Sequence, residues 1–200
     1  MLNQKIRGLW DVVMKPVGRA VARTGVSPNT ITLAGVVVQL GVAWAILAGR
    51  LLLAGAVAIL AAVADTVDGA VAKAQGRVGR FGALLDSTTD RLCDALFFVP
   101  VAWIYGVSVD PSRRDQRWVA AVALAAMVAS FLVSYVKARA EGLGLECNIG
   151  IVERAERLIL MILGLLLDIL PLVLSVLAVL STVTVVQRLL YVRSQARSAV

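Results

Sequence analysis

The sequence predicts an all-α integral membrane protein: six transmembrane helices plus an N-terminal amphipathic interfacial helix. Three observations predict it. Hydrophobic residues make up 60% of the 200 and charged residues only 16%, against about 25% charged in typical soluble chains. Mean hydropathy is +0.86, more apolar material than a small soluble domain could hide. The apolar runs recur down to the C-terminus, and fifteen of the 20 Lys and Arg fall in segments that alternate onto one side. A single domain over 1–200 accounts for the length, with a juxtamembrane helix over 1–24 and a six-helix core over 27–193.

The elements follow in order. Leu2, Ile6, Leu9, Trp10, Val13, Val17 and Val21 recur at helical spacing, interleaved with Lys5, Arg7, Lys15, Arg19 and Arg23. That pattern suits a helix lying on an anionic leaflet. Ser27 followed by Pro28 is a helix-start signal, and Thr30 to Gly49 forms the first span. Leu51 to Ala64 is an apolar run of 14 residues ending at Asp65 and Asp68, and Ala95 to Val107 is a run of 13 preceded by Asp86, Asp90, Arg91 and Asp94. At about 1.5 Å per residue neither crosses a hydrocarbon layer of about 30 Å. Each spans only with its acidic turns included, and those turns need a wet cavity or a cation. A short turn near 76–79 predicts that spans two and three pack antiparallel. Trp118 to Ala138 is the fourth span, and 158–170 and 171–186 are the fifth and sixth, after a polar connection over 139–157. The cation-rich side is the cytosol of a plasma membrane, and the acidic turns lie on that side.

Composition also excludes. The net charge of +7 in so apolar a chain reads as positive-inside bias and attraction to anionic lipid, with no nucleic acid as partner. Cys93 and Cys147 make neither a disulfide framework nor a metal spacing. The absence of His removes the commonest general base and transition-metal ligand.

The chemistry concentrates in two segments. In the first, Asp65 and Asp68 are i,i+3, and Asp86 and Asp90 are i,i+4, so each pair shares a helix face. Four carboxylates at one depth repel strongly unless cations hold them. An all-oxygen set suits Mg²⁺, with Mn²⁺ possible, and four carboxylates suit two ions about 3.5–4 Å apart, a clamp for phosphoryl chemistry. Gly69 and Gly82 leave room for close approach, and Lys73, Arg77 and Arg80 supply positive charge. Taken alone, these residues also leave open a divalent-cation or proton-coupled transporter.

The spacing resembles the signature of the CDP-alcohol phosphatidyltransferase family, D-x2-D-G-x2-A-R-x8-G-x3-D-x3-D. Asp65, Asp68, Gly69, Ala72, Gly82, Asp86 and Asp90 match it, and Lys73 stands where the family has Arg. Lys keeps the charge and loses the bidentate fork. The resemblance implies six spans, a homodimeric assembly and cleavage of a CDP-linked lipid such as CDP-diacylglycerol with release of CMP. It implies Asp65, Asp68, Asp86 and Asp90 as ligands of two metal ions and Asp90 as the catalytic base. It also implies Asn29, Thr30, Ile31, Thr32, Gly69, Lys73 and Gly79 as the CDP-lipid pocket.

The second segment runs from Ser134-Tyr135-Val136-Lys137 to Glu153-Arg154-Ala155-Glu156-Arg157, with Arg188 returning at the end of span six. Ser134, Lys137, Arg157 and Arg188 could form a second anion pocket, for a phosphorylated polyol. This region resembles the family's actinobacterial inositol-phosphate branch, through S-Y-x-K-A-R-A-E and G-x-x-E-R-x-E-R. The resemblance implies 1D-myo-inositol 3-phosphate as acceptor. Glycerol 3-phosphate, or the inositol acceptor with an archaeal ether lipid, are the alternatives.

Overall fold

The computed structural model describes residues 16–75, 79–107 and 115–198, apart from the side chains of Asp68, Ala72, Lys73 and Ser198. Residues 16–22 are helical, and the remainder of the amphipathic N-terminal reading lies outside the described residues. Six longer helices follow: α1 Pro28–Leu47, α2 Leu51–Gln75, α3 Arg80–Gly106, α4 Trp118–Glu141, α5 Arg154–Leu166 and α6 Leu170–Ser198.

Local chemistry sets the boundaries. Ser27 caps α1, its hydroxyl accepting from the Thr30 amide at 3.2 Å, and Pro28 opens the helix where a missing N–H costs nothing. At the other end Gly49 takes φ +71°. Its amide bonds the Ile46 carbonyl and the Arg50 amide bonds the Ala45 carbonyl, both at 2.9 Å. This paired closure needs a residue in the left-handed region, and it turns the chain directly into α2.

The fifth helix departs from the expected 158–170. It begins at Arg154 because Glu153 and Glu156 form a capping box, the Glu156 carboxylate accepting from the Glu153 amide at 3.0 Å. It stops at Leu166, and Asp168 turns the chain with φ 54°. The glutamates of the supposed polar connection are therefore the start of the helix, and the functional consequence is that Arg154 and Arg157 ride on its first turn.

The extensive helix contacts close a ring: α1 on α2 and α3, α3 on α4, α4 on α6, α6 on α5 and α5 on α2. The expected direct packing of spans two and three is corrected here. Among the described residues α1 lies against both, and α2 and α3 are not an extensively packed pair. Set side by side against α1, the two helices still bring the carboxylates of Asp65, Asp86 and Asp90 together.

The apolar core sits toward one end of this ring. Val42 and Ile46 of α1, Ala54 and Ala58 of α2, Phe98 and Val101 of α3, Val119 and Ala123 of α4, Leu165 of α5 and Leu174 of α6 pack together. Outward faces are apolar too: Leu33, Val37, Leu40 and Trp44 of α1, and Leu172, Val179 and Leu190 of α6, are exposed. Such a surface belongs against lipid. Among the described residues four helices are long and apolar enough to cross a membrane: Pro28–Leu47, Leu51–Val71, Trp118–Glu141 and Leu170–Arg197. Of the other two, α3 has 27 residues but carries Asp86, Asp90, Arg91 and Asp94, and α5 has only 13.

Candidate metal centre and anion cavity

The end of the ring away from the core is built from the end of α2, the start of α3, the end of α4, the start of α5 and the end of α6. Asp65 projects from α2. Asp86, Asp90 and Asp94 recur every four residues on α3 and form a stripe along one face. Asp65, Asp86 and Asp90 each offer a carboxylate oxygen, and the three oxygens lie within 4.8 Å of one another. The side chains of Asp68 and Lys73 lie outside the described residues.

Three carboxylates at this separation need positive charge, and Arg154 supplies it. Its Nη1 lies 2.9 Å from Asp65 Oδ2 and its Nη2 lies 2.9 Å from Asp90 Oδ1, with a further bond from Nη2 to Asp65 Oδ1 at 3.2 Å. One turn along α5, Arg157 Nη2 binds Asp94 Oδ2 at 3.0 Å. The i,i+3 step of α5 thus meets the i,i+4 step of α3, guanidinium to carboxylate. Sequence reasoning assigned neither Arg154 nor Asp94 to the site. The signal available was charge balance: four acids at the margin of apolar runs require cations, and the E-R-x-E-R run carries two on one face.

The donor set fits a hard divalent cation. It is all oxygen, it converges from two helices, and it already stabilises a cation in the form of Arg154. The first helix closes the back of the cluster. Thr32, Gly35 and Gln39 of α1 line a small crevice with Asp65, Asp90 and Cys93, and the buried Gln39 amide bonds the Cys93 carbonyl at 3.4 Å. Cys93 and Cys147 are both free thiols.

On the other side Asp86 and Asp90 open into a cavity of about 570 Å³. Ser134, Lys137, Arg157 and Arg188 line it together. They differ in how free they are. Lys137 is partly exposed and 3.9 Å from Glu141. Arg188 is buried and committed: its Nε donates to the Ile149 carbonyl at 2.7 Å and its Nη1 to the Val133 carbonyl at 2.6 Å. Its Nη2 lies 3.7 Å from Glu153. Gly150 allows the loop to approach Arg188, since a Cβ there would fall 2.6 Å from Thr184 Cγ2. Arg157 keeps a buried Nε with no partner.

The residues expected around a CDP-lipid are more dispersed. Thr32 faces the crevice beside Asp65. Asn29 Oδ1 lies 3.6 Å from where a Cβ on Gly82 would stand, so the starts of α1 and α3 approach closely. Thr30 shares a 2.8 Å hydrogen bond with the Ser27 hydroxyl in the helix cap. Ile31 is half-buried, Gly69 and Gly79 are exposed, and Gly79 caps α3.

The family model for CDP-alcohol phosphatidyltransferase matches residues 25–188. The phosphatidylinositol phosphate synthase of Corynebacterium glutamicum is 38% identical over 166 residues, covering 82% of this chain and 74% of that protein. The crystal structure of Mycobacterium tuberculosis phosphatidylinositol phosphate synthase with CDP-DAG bound superposes with a TM-score of 0.81 at 32% identity, covering 90% of this chain and 93% of that one. The same enzyme in complex with manganese and citrate gives a TM-score of 0.80 at 32% identity, covering 90% and 88%. A family match across both the carboxylate cluster and the basic cavity, on a shared fold, makes this chain a member of the CDP-alcohol phosphatidyltransferase family.

Proposed function

We propose that the protein transfers the phosphatidyl group of CDP-diacylglycerol to 1D-myo-inositol 3-phosphate, giving phosphatidylinositol phosphate and CMP. One observation carries the reading: a carboxylate cluster shares Asp86 and Asp90 with a cavity lined by Ser134, Lys137, Arg157 and Arg188. A donor nucleotide and a phosphorylated acceptor can therefore meet at Asp90.

Asp65, Asp68, Asp86 and Asp90 would hold two divalent ions, Mg²⁺ in the first instance and Mn²⁺ as an alternative. A similar enzyme crystallises with manganese. Bound there, such ions screen the pyrophosphate and stabilise the charge that develops on departing CMP. The chain's own residues do the rest. Asn29, Thr30, Ile31, Thr32, Gly69, Lys73 and Gly79 would serve the nucleotide end. Arg157, Arg188, Lys137 and Ser134 seat the acceptor phosphate, which fixes the ring and presents one hydroxyl to Asp90. Asp90 takes that proton as the oxygen attacks the lipid-linked phosphorus. The bond from phosphorus to the CMP oxygen breaks, and the acceptor oxygen replaces it. Six spans, a plasma membrane location, a cytoplasm-facing site and a homodimer complete the reading. The loop charges support the orientation and the ring in which α3 and α5 take part supports the span count, while the homodimer rests on the family resemblance alone.

The test is CMP release from CDP-diacylglycerol by the purified protein with inositol 3-phosphate, free inositol or glycerol 3-phosphate. Turnover confined to inositol 3-phosphate is expected. Preference for glycerol 3-phosphate would reassign the acceptor, and no CMP release with any of the three would overturn the reading.

A further inference from the structure

Arg154 makes two demands visible. Its guanidinium sits between Asp65 and Asp90 with contacts of 2.9 Å to each, on the carboxylates that a divalent cation would use. It also lines both the crevice behind Asp65 and the cavity of Lys137, Arg157 and Arg188. A base at Asp90 and a guanidinium bonded to the same carboxylate are incompatible roles at one moment. The contact is also incomplete: Arg154 Nε is buried with no hydrogen-bond partner.

The charge on the cavity wall points the same way. Asp86, Asp90, Asp94, Glu141 and Glu153 face Arg91, Lys137, Arg154, Arg157 and Arg188. Among the described residues acids and bases are matched, so their wall has no surplus positive charge for an anion until further cations arrive.

We propose that Arg154 is a tethered counter-cation that couples metal loading to acceptor binding. Without metal it neutralises Asp65 and Asp90. When divalent ions take those carboxylates, the guanidinium is released to the cavity side and adds its fork to the acceptor phosphate site. By linkage, an anion that engages Arg154 draws it off the carboxylates and tightens metal binding by the same factor. The anion half of this coupling rests on the proposed acceptor pocket, whereas the competition between Arg154 and metal does not.

The experiment is Mn²⁺ titration of the purified full chain, read by electron paramagnetic resonance, with and without inositol 3-phosphate and with no CDP-lipid present. In the wild type the anion tightens Mn²⁺ binding roughly tenfold, within the usual range of such couplings. Arg154→Gln binds Mn²⁺ at least several-fold more tightly than wild type without the anion, and the anion no longer shifts it. Arg157→Ala, which removes one of the proposed phosphate contacts, weakens the anion's effect on Mn²⁺ binding. Thermal unfolding supplies a second readout: Arg154→Gln melts earlier than wild type in chelator, and Mn²⁺ raises its melting temperature more. Unchanged Mn²⁺ affinity in Arg154→Gln overturns the proposal. So does an anion effect that survives the substitution, because the anion would then be touching metal directly. An anion effect missing in wild type, with tighter Mn²⁺ binding kept in Arg154→Gln, overturns the coupling and leaves only the competition standing; the acceptor pocket itself stands or falls on the CMP-release assay.

Discussion

The two ends of the helix ring are held by opposite means. At one end Ile46, Phe98, Val101 and Leu174 are essentially inaccessible to solvent and belong to one apolar cluster. Their packing needs no partner in solution. At the other end α3 meets α5 through Arg154–Asp90 and Arg157–Asp94, and Arg188 ties α6 to the loop before α5 through the Ile149 carbonyl and to α4 through the Val133 carbonyl. Breaking one partner there leaves a desolvated charge, which costs more than the pair contributes. Stability and chemistry are therefore separable at the apolar end and entangled at the polar end.

Substitutions can break that comparison, and the largest effect should come from Asp90→Asn. It preserves shape, leaves Arg154 its contacts to Asp65 and removes the base. CMP release should fall roughly a thousandfold, with the melting temperature changed by only a few degrees. Retained turnover would remove Asp90 from proton transfer. Phe98→Ala should do the reverse, costing about 3 kcal/mol or more of stability through the cavity it leaves. The folded fraction should keep its CMP release per molecule, measured at a temperature below its transition. Arg157→Ala should show the entanglement. We expect the KM for inositol 3-phosphate to rise about 30-fold, near the value of one charge-assisted contact, with the KM for CDP-diacylglycerol almost unchanged. It should also destabilise the protein by stranding Asp94, and Arg157→Ala with Asp94→Asn should restore the melting temperature without restoring the KM. Equal changes in both KM values would contradict a separate acceptor pocket. The smallest effect belongs to Lys73→Arg, which restores the fork common in the family. The KM for CDP-diacylglycerol should change by less than about threefold, and a large loss would show that the site is shaped around Lys.

The same contrast explains what the sequence revealed. Helix starts and stops written in local chemistry were legible, as at Ser27-Pro28 and Gly49. So were the long apolar helices and the carboxylates, whose spacing of three or four residues fixes a shared face whatever the tertiary fold. The ring order was not legible. A short connection between spans two and three suggests direct packing, whereas α1 lies against both. Arg154 and Asp94 were also hidden, since their partners lie 89 and 63 residues away along the chain. In a one-dimensional reading Arg154 looks like one more cation of a cytosolic loop. Only the capping box at Glu153, which starts α5 four residues early, turns it toward Asp65.

The central claim is that carboxylates from α2 and α3 act together as a divalent-cation site, and Mn²⁺ affinity tests it most directly. Wild-type protein should bind Mn²⁺ saturably in the absence of any substrate. Asp65→Asn combined with Asp86→Asn takes one ligand from each helix and should weaken that binding by roughly a hundredfold, as lost ligation requires. Equal affinity in the wild type and the double variant would contradict the account.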